Sequence, residues 1–418
     1  MSETNVQKYL SIVETDPNRM GWMKGFPPLP EKILSAKDGS FFDFPALRYS
    51  VNHMREFLPT REVPAAKEGW FEFKVKLDKK MDEVEFIPWE EDKPITWAES
   101  LERNYTDGII VLHKGVVVYE KYFAGLKPEG LHAAMSVSKS FAGTIASVLI
   151  AEGKLDAEEL VGSYVPELKK SGFADATVRQ VLDMTTAIKY SEDYNNPKAE
   201  IWDFSNAGNV FRAEDGKGPS CYYDYLATVK KQPKMQHGQA FSYCTVNTEV
   251  LGWIMSNVTG KSITELVCEK IWKPMGARTD GYYQLDPAGI AFAGGGFNLN
   301  LRDMAVFGEM MLNEGKLNGN RVIPKEAVRD ITCGASQEAF AKGDYPMLKG
   351  WSYRNMWWIT HNSHKAYMAR GVHGQAIYID PKAQMVIVRF ASNPLSSNKY
   401  IDPISIPAYE AVANYLMD

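Results

Sequence analysis

Apolar residues fall in two kinds of run along this chain, and the two kinds occupy different stretches. Unbroken apolar runs lie near both ends. Ile109-Ile110-Val111-Leu112 and Val116-Val117-Val118-Tyr119 flank His113-Lys114-Gly115, which predicts a hairpin over 108–123. Ile377-Tyr378-Ile379 and Val386-Ile387-Val388, around Asp380-Pro381, predict a second hairpin within 376–391. Runs that are apolar at every position, rather than at every other one, suit strands covered on both faces.

Between the hairpins the period changes to that of a helix. Phe141, Ile145, Val148 and Leu149 sit at i, i+4, i+7 and i+8, predicting a helix from Ser136 to Ala151 that Gly153 stops. A shorter helix is expected over Thr177–Met184. Another runs over Asn247–Val258, with Asn247 as cap and Val250, Leu251, Ile254 and Val258 inward. Ser262-Ile263-Thr264-Glu265 is a capping-box pattern opening a helix to Ile271. Arg302–Asn313, after Gly294-Gly295-Gly296, and Ala408–Met417, with Tyr409, Val412, Ala413 and Leu416 on one face, complete the set. Stretches 191–196 and 207–220 are polar or Gly-rich and read as loops. Prolines punctuate the first part of the chain (Pro27, Pro28, Pro30, Pro45, Pro59, Pro64), so 1–80 reads as an extended arm wrapped on the core.

Strands at both ends and helices between them predict an α/β domain over 81–160 and 285–418, with a mainly helical insertion over 161–284. A ligand cleft is expected where the two meet. At 418 residues, 45% hydrophobic and 24% charged, the chain has the composition of a globular protein with a sizeable core. A formal net charge of −5 argues against nucleic acid as a partner, and no apolar stretch approaches the ~18 residues of a membrane span. Residues 1–20 carry Glu3, Glu14 and Asp16 and no apolar core of a signal peptide. Cys221, Cys244, Cys268 and Cys333 form no Cys-x-x-Cys pair, so reduced thiols and a cytoplasmic location are expected.

The candidate chemistry lies at the head of the first long helix. Ser136 and Lys139 are three residues apart and share a helix face. A serine hydroxyl is a poor nucleophile near neutrality unless a base takes its proton, and a lysine serves when burial keeps its amine neutral. The helix N-terminus offers N–H groups to a developing oxyanion. A second Ser-x-x-Lys, Ser396 to Lys399, lies between Pro394 and Pro403 with no apolar helix behind it and reads as a loop. A serine–lysine pair usually works with a third, proton-delivering group. Tyrosine qualifies if nearby cations lower its pKa. Tyr243, Tyr194 and Tyr353 each have a suitable local pattern, and the helix that follows favours Tyr243. His361 and His364 have metal-ligand spacing but no third ligand, and Gly294-Gly295-Gly296 lacks the lysine of a phosphate loop. No metal and no cofactor is expected.

The order Ser136-x-x-Lys139, Tyr243-x-Thr245, then a small-residue strand ending at Gly371 resembles the serine β-lactamase and penicillin-binding-protein superfamily. Met135 to Lys139, Ser191-Glu192-Asp193-Tyr194, Tyr243-Cys244, Phe292 to Gly296, Trp357-Trp358 and Val372-His373-Gly374-Gln375 are similar to the 6-aminohexanoate-dimer hydrolases, nylon-oligomer hydrolases related to class C β-lactamases. The resemblance implies a β-lactamase-like fold: an antiparallel sheet flanked by helices, with a helical insertion. It implies Ser136 as the acylated nucleophile, Lys139 as its base and Tyr243 as proton shuttle. The N–H groups of Ser136 and Val372 would form the oxyanion hole. Tyr194, Trp357, Gly371 and His373 would border the substrate, His373 chiefly as a structural hydrogen-bonding residue. Where β-lactamases carry Lys-Thr-Gly this chain reads Ala369-Arg370-Gly371, which disfavours β-lactams and favours small esters or amides. Dimer hydrolysis in that family needs a carboxylate that holds the substrate's ammonium. A gapless alignment puts Ser205 at that position, with Asp203 two residues earlier and facing the other way on an extended segment. An acyltransferase, a β-lactamase-type enzyme and a catalytically silent scaffold are the alternatives, though a scaffold has no use for the whole triad. A homodimer is one expectation for an oligomeric state the residues leave open.

Overall fold

The computed structural model describes residues 9–194, 196–211 and 218–418. Asn195, in the expected 191–196 loop, and residues 212–217, in the expected 207–220 loop, lie outside the described residues, as do residues 1–8 of the arm.

The two hairpins pair with each other. Met385–Ala391 runs antiparallel to Thr106–His113, with Val386 opposite Leu112 and Val388 opposite Ile110. They form the middle of an eight-stranded sheet, whose order is 352–354, 357–359, 367–371, 375–380, 385–391, 106–113, 116–122 and 74–75. Helices cover both faces, which is why the runs are apolar throughout. On one face, Phe141 of helix Val137–Ala151 stacks on Phe307 of helix Leu301–Leu312 at 4.0 Å, and Phe307 meets Trp357 of the sheet at 6.0 Å. Gly308 lets that second helix lie close, because a Cβ there would come within 2.6 Å of Val386 Cγ1. On the other face, Tyr409 of the closing helix Asp402–Met417 packs on Tyr378 at 5.2 Å and on Trp97 at 6.4 Å.

A four-stranded sheet lies beside the large one, in the order 60–63, 281–284, 297–300 and 131–133. Its strand Gly281–Gln284 lies within the stretch expected to be helical. The arm also departs from a plain extended strap. It forms short helices at Pro17–Met20 and Leu47–Ser50 and gives a strand to each sheet. Arg48 anchors it, buried, and donates to Ile12 O, Thr15 Oγ1 and Asp107 Oδ1.

Between the sheets' chain segments, the regular elements among the described residues of 161–272 are helices. The helix expected from Asn247 begins earlier, at Thr245, and runs to Thr259. Its first turn is capped from outside the segment: the Glu192 carboxylate accepts from the Thr245 N–H and, at 2.6 Å, from Thr245 Oγ1. Asn247 is therefore interior, accepting from Thr186 Oγ1 at 2.9 Å. Among the described residues, no helix is long and apolar enough to cross a membrane.

Candidate active site

Strand Leu131–Ala133 delivers the chain to a tight turn. Met135 there takes a left-handed conformation, φ 48°, which a methionine adopts only under tertiary constraint. Ser138 Oγ supplies part of that constraint, donating to Met135 O at 2.6 Å and accepting from Phe297 N at 3.1 Å. Ser136 heads the helix, yet its hydroxyl makes no cap bond to the backbone. It accepts instead from Lys139 Nζ at 2.9 Å, and the same amine donates to Gly294 O at 2.6 Å. Ser136 is half-buried, while Lys139 is 1% exposed. Burial brings the Lys139 amine down to about 8, against the opposing pull of the Glu192 and Glu249 carboxylates. An amine at that value is poised to gain or lose a proton near neutrality.

Tyr243 joins this pair. Lys139 Nζ lies 5.2 Å from the centre of its ring, and the Ser136 hydroxyl is near enough to act on its phenol. The ring stacks on Trp358 at 5.6 Å and meets Tyr353 edge-on at 6.1 Å. The expected lowering of its pKa is not what the surroundings produce. Burial, then the Glu192 charge, hold the phenol well above its ordinary value, and the Ser136 hydroxyl and Arg370 only offset part of this. Tyr243 is thus a neutral phenol, able to pass a proton on but not to sit as a phenolate.

Strand Tyr367–Gly371 closes the other side. Gly371 has no room for a side chain, since a Cβ would lie 2.8 Å from Ala134 O, so its role is close packing of this strand against the turn that carries Ser136. Val372 follows directly. His373 takes φ 62° and donates its Nδ1–H to Asn393 O at 2.7 Å. Burial pushes it down to about 4, leaving a neutral ring tied to the backbone. Its ring also meets Phe42 of the arm edge-on at 5.8 Å.

Other expected residues stand elsewhere. Trp357 is fully buried in the sheet–helix core, its Nε1 donating to Thr144 Oγ1 at 3.1 Å. Successive strand residues face opposite ways, so it is Trp358, not Trp357, that reaches Tyr243. Tyr194 is 37% exposed, and its hydroxyl donates to Glu192 Oε1 at 3.2 Å. Asp203 and Ser205 lie on a helix, Glu200–Ala207, not an extended segment. Both are exposed, and Ile201, Phe204 and Ala207 take the inward face. His361 and His364 part company, to Ser352 Oγ and to Asp380 Oδ2, each at 2.7 Å.

The structure brings in residues that motif order does not single out. Glu192 caps the Thr245 helix and faces Lys139; it stands within the Ser191–Tyr194 segment without any pattern to set it apart. Glu249, one turn further along that helix, is 1% exposed and accepts from Gly294 N at 2.7 Å and Ala293 N at 3.2 Å. A charged residue among Val250, Leu251 and Ile254 is the one available signal. Arg370 lies 4.6 Å above the Trp358 ring and is committed to Asp402 Oδ2 at 2.6 Å.

Comparison with known proteins follows the same lines. The family model described as Beta-lactamase matches residues 99–400. A 6-aminohexanoate-dimer hydrolase of Paenarthrobacter ureafaciens is 36% identical over 297 residues, covering 71% of this chain and 75% of that one. A solved structure assigned as a 6-aminohexanoate-dimer hydrolase from Bacillus anthracis superposes with a TM-score of 0.82 at 33% identity, over 94% of this chain and 99% of the other. A family VIII carboxylesterase structure shares the fold, with a TM-score of 0.55 at 19% identity, over 75% of this chain and 95% of that one.

Proposed function

The chain belongs to the Beta-lactamase family, and from that premise we propose that it is a serine hydrolase acting through an acyl-enzyme on small carboxylic esters, with amides as a second substrate class. The observation that carries this reading is the Lys139 amine, buried and brought down to about 8, placed 2.9 Å from Ser136 Oγ and anchored at Gly294 O.

The steps follow from those contacts. Ser136 Oγ attacks the substrate carbonyl carbon while its proton passes to the Lys139 amine. The carbonyl oxygen, now negative, is received by the N–H groups of Ser136 and Val372. Tyr243, beside Ser136, gives its hydroxyl proton to the leaving alkoxide or amine as the carbon–oxygen or carbon–nitrogen bond breaks, and takes the serine proton over from the Lys139 ammonium, so the amine is neutral again and no phenolate remains. Water then attacks the Ser136 ester by the reverse use of the same groups, releasing the acid. Trp358, Tyr345 and Phe241 form an aromatic wall behind Tyr243, with Trp358 to Tyr345 at 4.9 Å, suited to an apolar acyl chain. Ala369 stands where a β-lactamase lysine would meet the drug's carboxylate, and Arg370 is engaged by Asp402, so penicillins are disfavoured.

Intact-protein mass spectrometry after exposure to a panel of p-nitrophenyl esters, a fluorophosphonate and a penicillin tests this reading. A stoichiometric fluorophosphonate adduct on Ser136, ester turnover and no lasting penicilloyl adduct are expected. Ester turnover that persists in Ser136→Ala would overturn it.

A further inference from the structure

The mechanism uses one buried cation and leaves a buried carboxylate unexplained. Glu249 is 1% exposed and sits mid-helix, where an apolar residue would cost less. Both its oxygens are spent on one loop: Oε1 accepts from Gly294 N at 2.7 Å and Oε2 from Ala293 N at 3.2 Å. Gly294 is also the residue whose carbonyl accepts from Lys139 Nζ at 2.6 Å. A single glycine therefore carries one contact to the carboxylate and one to the catalytic amine. A Cβ at Gly294 would lie 2.8 Å from Thr245 Cγ2 and 3.0 Å from Glu249 Oε1, so a side chain there would displace one or both of these groups.

The geometry points to Glu249 as the positioning residue that, through Gly294, holds the Lys139 amine on Ser136 and offsets the charge that amine acquires when it takes the serine proton. The inference rests on Lys139 being the base of Ser136. Its physical basis is that an ammonium forming out of water gains from a fixed anion nearby, and that the anion's two N–H bonds keep the loop from yielding when the amine changes charge. A glutamine could satisfy only one of those N–H groups. The charges around the pair are few. Lys139 faces Glu192, Glu249, Cys244 and the Tyr243 ring. Glu249 faces Lys139 from the nucleophile helix, Asp286 from the loop after strand Gly281–Gln284, Tyr283 from that strand, and Tyr222 and Tyr223 from helix Tyr222–Thr228. Burial brings Glu249 up to about 8, opposed by its two N–H bonds and by Lys139, so the carboxyl is drawn into its anionic form as Lys139 takes the serine proton, and the two charges depend on each other over the same pH range.

The test compares Glu249→Gln and Glu249→Asp by pH profiles of ester kcat/KM and of Ser136 fluorophosphonate labelling rate. Removing the carboxylate removes a group that favours the ammonium, so the acidic limb in Glu249→Gln should move to lower pH by about half a unit or more. Its plateau kcat should fall about tenfold or more, with KM within about twofold, because the amine is less well placed. Glu249→Asp keeps the charge but withdraws it by one methylene, so its plateau should fall while its limb stays at the wild-type pH. A limb that moves equally in both variants, or in neither, would overturn the proposal. If Glu249→Gln does not fold, a wild-type plateau in Glu249→Asp would overturn it alone, and a lowered plateau with an unmoved limb supports it. Fluorophosphonate labelling of wild-type Ser136 separates the two readings: no label there removes the serine mechanism itself, whereas normal labelling with an unmoved limb removes only the role of Glu249.

Discussion

Replacing Lys139 by arginine tests the central physical claim, that a buried amine near Ser136 acts by being neutral. A lysine at its ordinary 10.5 would be neutral in only about 0.03% of molecules at pH 7, whereas at about 8 roughly a tenth is neutral, a gain of about 300-fold. Arginine keeps the positive charge and nearly the reach, but its guanidinium does not deprotonate in this range. Lys139→Arg should therefore lose about 10²-fold or more in kcat/KM for p-nitrophenyl acetate. In the wild type, neutral amine rises with pH: about 1% at pH 6, a tenth at pH 7, half at pH 8 and nine tenths at pH 9. The kcat/KM profile, corrected for spontaneous hydrolysis, should accordingly climb about tenfold from pH 6 to 7 and again about ninefold from pH 7 to 9, then level off. A flat profile between pH 6 and 9, or a Lys139→Arg enzyme within about threefold of wild type, would refute the neutral-amine argument.

Ser136→Ala should abolish both ester turnover and fluorophosphonate labelling while Ser396→Ala leaves both unchanged; peptide mapping that places the adduct on Ser396 would count against the helix-head argument. Tyr243→Phe should lower kcat by at least about 10²-fold, and combining it with Lys139→Ala should cost little more than either change alone, since the groups act as one unit. Tyr194→Phe should cost less, because its hydroxyl bonds Glu192 and not Ser136; if it proves the more damaging change, the wrong tyrosine has been given the proton-delivery role. Ser205→Asp should leave the ratio of kcat/KM for 6-aminohexanoate dimer and for p-nitrophenyl acetate within about twofold of wild type, because Ser205 lies on the exposed face of helix Glu200–Ala207; a dimer-selective rise would put that face against the substrate's ammonium. High wild-type dimer activity that disappears in Asp203→Ala would give the task of holding that ammonium to Asp203.

Elements whose pattern is local are legible in the order of residues alone. Both hairpins, the helix behind Ser136 and the Ser262 capping box appear where period and cap residues place them, because each depends on neighbours within a few positions. The family, too, can be read from the order of Ser136, Lys139, Tyr243 and Gly371. Boundaries set by remote groups cannot. The Thr245 helix starts two residues before Asn247 because a carboxylate 53 positions earlier in the chain caps it.

What the sequence by itself determined was the nucleophile's setting: a serine and a lysine on one face at the head of an apolar helix. Only the tertiary structure decided the state of that lysine. Its charge is set by burial beneath Gly294, opposed by Glu192 and Glu249, and all of these arrive from other segments. The same holds for which tryptophan of Trp357-Trp358 meets Tyr243, since a strand's pleat fixes only that the two face oppositely and the sheet's packing decides which side is the site. Asp203 and Ser205 changed their meaning likewise, because Ile201, Phe204 and Ala207 are buried on the inward face and the segment is a helix with both polar residues outside. Charge state, facing and burial are properties of surroundings assembled from distant parts of the chain, and in this protein they are what turn a serine into a candidate nucleophile.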